Sequence, residues 1–410
     1  MQLLHSTPRA YSWGSRTLIP ELLGEETSEH PVAELWFGAH PAAPSTVGGR
    51  ALDEVIAQQP AAQLGERVEG EYSSQLPFLL KILAAAEPLS LQAHPTKEQA
   101  EEGFERDNAA GLSLTAPERN YRDNNHKPEL IVALTDFYAM VGFRPLAETR
   151  KLFAALNSPE LDRYLSMLSE GEEEDAENYR ALFTTWITIP AHSRKELIAA
   201  VIQAGEKLVA EAEDGDWKAG VMSTVIDINE QYPGDIGVLG ALLLNHITLQ
   251  PGEAVYLDAG QLHAYVSGLG VEIMANSDNV LRGGLTSKYV DVPELVKVLS
   301  FAAIDNPRVS QLEVNEAPSI SGGSAWAYPV PIGEFAITRC DLEAKGTVDV
   351  DYDGPTIVLC TDGEVVLSNG QDEDIALTPG RAAWLPASDP RTRVTVPAGG
   401  ALAQVFLARA

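Results

Sequence analysis

Two short segments carry side chains at spacings suited to metal chemistry. In Ser90-Leu-Gln-Ala-His94, Gln92 and His94 stand two residues apart. An extended backbone turns alternate side chains to one face, so a single strand can offer both to one ion. Asn125-His-Lys-Pro-Glu129 adds a carboxylate on backbone that its X-Pro pair holds extended. His263 adds an imidazole at the end of a segment, 249–263, that opens with a Pro-Gly turn. Two nitrogens, one carboxylate oxygen and one amide oxygen suit one Zn²⁺ per chain, with room for water or substrate. Spacing alone does not make Gln92, His94, Glu129 and His263 meet, and a single histidine is more commonly a packed or surface residue.

Other candidates carry less. Gly268-Leu-Gly270 runs into the strand-like Val271-Glu-Ile-Met274 rather than a helix, which argues against a dinucleotide cofactor. His5, His30, His192 and His246 lie outside any ligand spacing, and Glu34 and His40 read best as partners in buried hydrogen bonds. Tyr11-Ser-Trp-Gly14 is either an aromatic packing corner or a wall of a sugar pocket.

The elements that must position these residues are mostly strands. From 76 to 143, short apolar runs alternate with Pro, Asn and Asp, which predicts mainly β structure. Between Pro145 and about Gly220 the spacing becomes helical: Ser193-Arg-Lys-Glu196 has the form of a capping box, followed by Leu197, Ile198, Val201, Ile202, Leu208 and Val209. The acidic stretch from Glu170 to Glu177 is expected as a solvated loop or helix face. After Tyr232-Pro-Gly-Asp235 the β pattern returns. The strand, Pro-Gly, strand rhythm near 250 recurs at 354–387, without a histidine in the place of His263. The expected fold is mainly β: two cupin-like jelly-roll modules with an α-helical insert. The catalytic module takes 1–145 and 221–322, the insert 146–220 and the C-terminal module 323–410.

With 59 acidic against 29 basic side chains, the formal charge of −30 disfavours nucleic acid and anionic membranes as partners. An anionic small substrate then needs a few cations converging locally. Cys340 and Cys360 are too few for a disulfide framework, and the N-terminus lacks a signal-peptide pattern, so a cytoplasmic protein is expected. No segment has the length and apolarity of a membrane span.

The run Gly270-Val-Glu-Ile-Met-Ala-Asn-Ser-Asp-Asn-Val-Leu-Arg-Gly-Gly-Leu-Thr-Ser-Lys288, after His263-Ala-Tyr265, closely resembles the signature of type I mannose-6-phosphate isomerases. Tyr11-Ser-Trp-Gly-Ser15, Ala33-Glu-Leu-Trp-Phe-Gly-Ala-His-Pro41, Leu76-Pro-Phe-Leu-Leu-Lys-Ile-Leu83, Leu91-Gln-Ala-His-Pro95 and Asn125-His-Lys-Pro-Glu129 agree in order, so the likeness spans nearly the whole chain. Two departures are Arg122, where a Tyr-Lys-Asp run is commoner, and Thr96, where the family has an acidic residue.

The resemblance implies a zinc enzyme that interconverts mannose 6-phosphate and fructose 6-phosphate through a cis-enediol and links glycolysis to GDP-mannose supply. Its zinc ligands fall on Gln92, His94, Glu129 and His263, and its essential arginine on Arg282. Lys81, Ser90, His126, Lys127, Glu272, Asp278 and Lys288 match residues near its active site. We expect Arg282 to share the charge of the enediolate, Ser90 and Lys288 to take the phosphate, and Glu272, Lys81 and Lys127 to compete for the proton shuttle. A monomer or weak homo-oligomer is expected. The competing readings are another metal-dependent cupin enzyme, such as an oxygenase, and a non-catalytic sugar-phosphate-binding cupin.

Overall fold

The computed structural model describes residues 1–168, 175–314 and 319–410. Its framework is antiparallel β with most of its helices between 146 and 241, and among the described residues the strands form an eleven-stranded and a twelve-stranded network. Two β networks are what the strand rhythm predicts, but the twelve-stranded one also takes in Gln2–His5, Thr46–Val47, Arg50–Ala51 and Ser319–Ala327, so the sheets do not divide at the bounds expected for the catalytic and C-terminal modules.

The first network turns on one long strand, His263–Ala275. Its first part pairs with Phe137–Phe143 and touches Leu91–Ala93; its second part pairs with Phe78–Ala85 on one side and Glu129–Ala133 on the other. The strand therefore passes from one sheet to the other, and Gly268 marks the bend. Its φ of 126° and the backbone oxygen of Asp136, 2.7 Å from where a Cβ would sit, leave room only for glycine. Gly268 and Gly270 thus serve a strand and not a phosphate loop.

The two Pro-Gly turns occupy equivalent places. Gly252, φ 90°, joins Leu244–Leu249 to Ala254–Leu257, and Gly380, φ 77°, joins Ile375–Leu377 to Ala382–Leu385. A positive φ after proline is what a tight turn of this kind requires.

The C-terminal network is built on Ala336–Val350, Thr356–Asp362 and Ala403–Arg409, and the N-terminal strand Gln2–His5 pairs onto its Ala382–Leu385 edge. One apolar core, including Leu80, Ile82, Val271, Ile357, Trp384 and Phe406, joins the modules face to face. Cys340 and Cys360 are both buried and unpaired.

Three local expectations change. Within the stretch expected to be mainly β, Lys97–Ala109 is a helix. Thr96 Oγ1 accepts from the Gln99 backbone N–H at 3.2 Å and Gln99 Oε1 accepts from the Thr96 N–H at 3.0 Å, a reciprocal cap. The helix buries only Ala100, Gly103 and Asp107, so it has no apolar stripe to announce it. The insert helix expected to start at a Ser193 cap instead spans Ala191–Glu211, because Pro190, with φ −57°, leads directly into it and leaves Ser193 within the first turn. Helical structure also continues beyond 220 through Trp217–Gln231 and Ile236–Ala241, started by Asp216 and Asp235 caps. Of the acidic stretch, Glu170 to Glu174 lies outside the described residues, while Asp175 and Glu177 form the acidic first turn of Asp175–Ile187.

Candidate metal centre and active site

The short strand Leu91–Ala93 is wedged between two others, with Gln92 directly opposite His263 on one side and Arg282 on the other. Residues directly opposite across antiparallel strands project to the same face, so His263, Gln92 and Arg282 form one cross-strand row. Period two along the chain extends that face toward Ser90 and His94.

His94 and His263 approach with ring centroids 5.1 Å apart, and Glu129, opening the adjacent strand Glu129–Ala133, closes the group. One ligand atom from each of these three buried residues lies within 4.8 Å of the others. The His94 Nδ1 hydrogen bonds to the Asn279 carbonyl at 2.8 Å and the His263 Nδ1 to the Gln261 carbonyl at 2.9 Å. Because a carbonyl only accepts, each Nδ1 carries the proton and each Nε2 lone pair faces Glu129 Oε2, at 3.4 and 3.5 Å. All three inward atoms are buried without a hydrogen-bond partner. Leaving them so costs about 1–3 kcal/mol apiece, a penalty that a divalent cation removes. Both imidazoles are thereby oriented as ligands, and the donor set fits a zinc-type ion.

The electrostatics favour the same use. Burial pushes the His94 imidazole down to about 4, against the pull of Glu129, so it stays neutral at physiological pH. Burial opposes ionisation of Glu129, but Lys127 and then His94 outweigh it and hold the carboxyl well below its usual range. Lys127 Nζ bonds Glu129 Oε1 at 2.7 Å, leaving Oε2 to face the imidazoles.

Behind the metal group lies a second buried polar set. Lys81 Nζ is 2.8 Å from Glu272 Oε2 and 3.7 Å from Glu34, while the Tyr265 hydroxyl donates to Glu272 Oε1 at 2.9 Å. Trp36 Nε1 donates to Glu34 at 2.7 Å, so Glu34 does satisfy a buried hydrogen bond. Burial alone would lower the pKa of Lys81, yet Glu272, Glu34 and Glu129 together raise it, and the ammonium holds its proton. Glu272 is raised by burial, with Glu129 and Glu34 adding to that and Lys81 opposing it. Burial thus acts on Glu272 in the direction opposite to the net shift of Glu129.

The remaining candidates lie further out. His126 turns its Nε2 to Glu334 of the C-terminal module, and Asp278 lies on the rim with Oδ1 3.6 Å from His40 Nε2. Ser90 is half-buried and Lys288 exposed. Neither makes a side-chain hydrogen bond or ion pair with the metal group among the described residues. Trp13 stacks on Tyr11 at 5.4 Å and packs against the core around Tyr265, as a packing corner would.

Three contributors were not expected from the residues alone. Tyr265 sits two residues from His263, a spacing that places both on one strand face. Glu334 belongs to a distant loop, with no local signal. Asn279 spans both functions: its carbonyl orients His94, while its side chain accepts from the Arg122 N–H at 2.7 Å and donates to the Asp123 and Asn125 carbonyls, each at 2.9 Å.

Known proteins are similar to this chain in sequence and fold. The model of the type I phosphomannose isomerase catalytic domain matches residues 1–146. The mannose-6-phosphate isomerase of Escherichia coli (strain K12) is 38% identical over 413 residues, covering 99% of each chain, and that of Salmonella typhimurium is 37% identical with the same coverage. A mannose 6-phosphate isomerase crystal structure with bound zinc and yttrium superposes with a TM-score of 0.85 at 34% identity, over 100% of this chain and 99% of that one. A zinc-bound holo structure gives 0.85 at 33% identity, over 100% and 98%. Sequence and fold agree along the full length, and the chain belongs to the type I mannose-6-phosphate isomerase family.

Proposed function

We propose that this chain is the aldose–ketose isomerase that interconverts D-mannose 6-phosphate and D-fructose 6-phosphate. One observation carries the reading: three unpartnered ligand atoms of His94, Glu129 and His263 converge beside a row that ends in Arg282, on a chain of this family. Zinc is the ion for this site, held by His94, Glu129 and His263 with Gln92 as the amide donor. When bound it supplies Lewis-acid stabilisation of negative charge on oxygen.

The chain's own residues handle the protons. The reaction removes the proton from C2 of the open-chain aldose, protonates the former carbonyl oxygen at C1, then takes the proton from the C2 hydroxyl and returns one to C1. Glu272 is assigned the base. Lys81, kept cationic by three carboxylates, orients Glu272 instead of competing with it. Lys127 holds Glu129 in its ionised form, and Arg282 stands where it can share enediolate charge. Ser90 and Lys288 take the phosphate, and His126 and Asp278 belong to the outer wall. The sugar phosphate is the partner. The same reading takes the enzyme to be cytoplasmic, and a monomer or weak homo-oligomer. Among the described residues no helix is long and apolar enough to cross a membrane.

Two histidines and a carboxylate also suit ferrous oxygenases. Conversion of mannose 6-phosphate to fructose 6-phosphate, followed in a coupled assay with and without chelator, separates the readings. Loss of turnover on chelation and its return with Zn²⁺ is expected; full activity in metal-free protein would refute the metal's role.

A further inference from the structure

On a chain of net charge −30, one part of the site's rim reverses the balance. Arg122 is pinned by its backbone N–H to Asn279 Oδ1 at 2.7 Å, three residues before Arg282, and Lys288 lies six residues beyond Arg282. Asn279, which also donates to the Asn125 carbonyl at 2.9 Å, holds the 122–125 loop against the segment leading into Leu281–Gly284, which carries Arg282. Arg282 is lowered by burial and then by Arg122; Lys288 is lowered by burial, then by Arg282, then by Arg122. Among the described residues none of the three side chains has a hydrogen bond or a carboxylate within ion-pairing reach.

The nearby acids face elsewhere. Asp123 accepts from the Ser277 hydroxyl at 2.8 Å and from the Asp278 and Asn125 N–H groups at 2.7 and 3.0 Å. Asp278 faces His40. Three like charges held together without a counter-charge are unfavourable until an anion joins them. The two ends of the substrate also divide them: Arg282 is half-buried in the row with Gln92, whereas Arg122 and Lys288 are exposed. A hexose 6-phosphate has its reacting carbons and its phosphate at opposite ends.

We propose that Arg122 binds the substrate's phosphate together with Lys288, as a specificity residue contributed by the 122–125 loop. This rests on the isomerase reading above. A phosphate near two negative charges gains from a guanidinium fork as well as from an ammonium.

Arg122→Ala tests it in the zinc-loaded enzyme, with inorganic phosphate as a competitive inhibitor. KM for mannose 6-phosphate and the inhibition constant for phosphate should both rise about 2- to 5-fold, as expected for an exposed charge, with kcat within about twofold of wild type. The salt dependence of kcat/KM should become shallower, and Arg122→Lys should restore most of the loss. Lys207→Ala, removing an exposed charge from a distant helix, should change none of these. Unchanged KM and phosphate inhibition in Arg122→Ala would overturn the inference, as would a fall in kcat at constant KM, which would move Arg122 to the reacting end. Failure of the wild-type enzyme to turn over mannose 6-phosphate would overturn the functional reading instead.

Discussion

Lys81 and Glu272 stand directly opposite each other in the pairing of Phe78–Ala85 with His263–Ala275, and their side chains meet at 2.8 Å in the buried interior. The sheet register thus sets the pair as much as side-chain choice does. Lys81→Met strands a buried carboxylate and is expected to cost about 3–5 kcal/mol in urea denaturation. Lys81→Met with Glu272→Gln should recover much of that stability, because no unpaired charge remains, while kcat stays at least about a hundredfold down. Activity returning with stability in the double variant would remove Glu272 from the chemistry.

Arg282 lies beside Gln92 with no carboxylate partner among the described residues. Arg282→Ala should lower kcat by about 10²–10³, the usual loss for a group that stabilises developing charge, with an unchanged circular dichroism spectrum and melting temperature. Arg282→Lys should recover only part, since an ammonium lacks the planar fork. Wild-type kcat in the alanine variant would sink the assignment.

His126 is tied to Glu334, which links the His-Lys-Pro-Glu segment to the C-terminal module. That hydrogen bond and burial act in opposite directions on Glu334, and the bond prevails, holding its carboxyl below the usual range. Glu334→Gln should reduce kcat/KM roughly tenfold by loosening the segment that carries Lys127 and Glu129. Stability should change by only about 1 kcal/mol, as expected for a partly exposed pair. Kinetics and thermal melts on one preparation decide it; unaltered kcat and KM would make the contact purely structural.

His246, far from the metal group, donates from Nε2 to the Ala241 carbonyl at 2.9 Å. Burial and then Arg144 push its imidazole down to about 3, against the smaller effect of that hydrogen bond. The unfolded chain therefore binds the proton first as pH falls. This group's contribution is intact above about pH 6.5 and is lost as pH drops toward 3, at up to about 1.4 kcal/mol per pH unit. Urea titrations between pH 7 and 4 should show a flatter dependence for His246→Gln than for wild type. Equal slopes would count against it.

Much of the site was legible before any fold was known, because its motifs are local. Gln-Ala-His places two donors on one strand face by period two, and Pro before Glu129 keeps that carboxylate on extended backbone. The two Pro-Gly turns and the missing second histidine pointed to the first module, which is where His94, Glu129 and His263 gather. The helix Lys97–Ala109 was hidden because it is mostly polar and buries little, so its evidence lay in the Thr96–Gln99 cap and not in apolar spacing.

By itself, then, the sequence determined which side chains are available, which strand faces they share, where the turns fall, and the family. Only the tertiary structure decided that Glu129 meets two imidazoles, that Lys81 pairs with Glu272 while Lys127 pairs with Glu129, and that His126 turns to Glu334. Those choices depend on strand register and on contacts between residues up to 208 positions apart. A one-residue slip of register would send every side chain to the opposite face, and nothing in local spacing specifies which distant strand lies alongside.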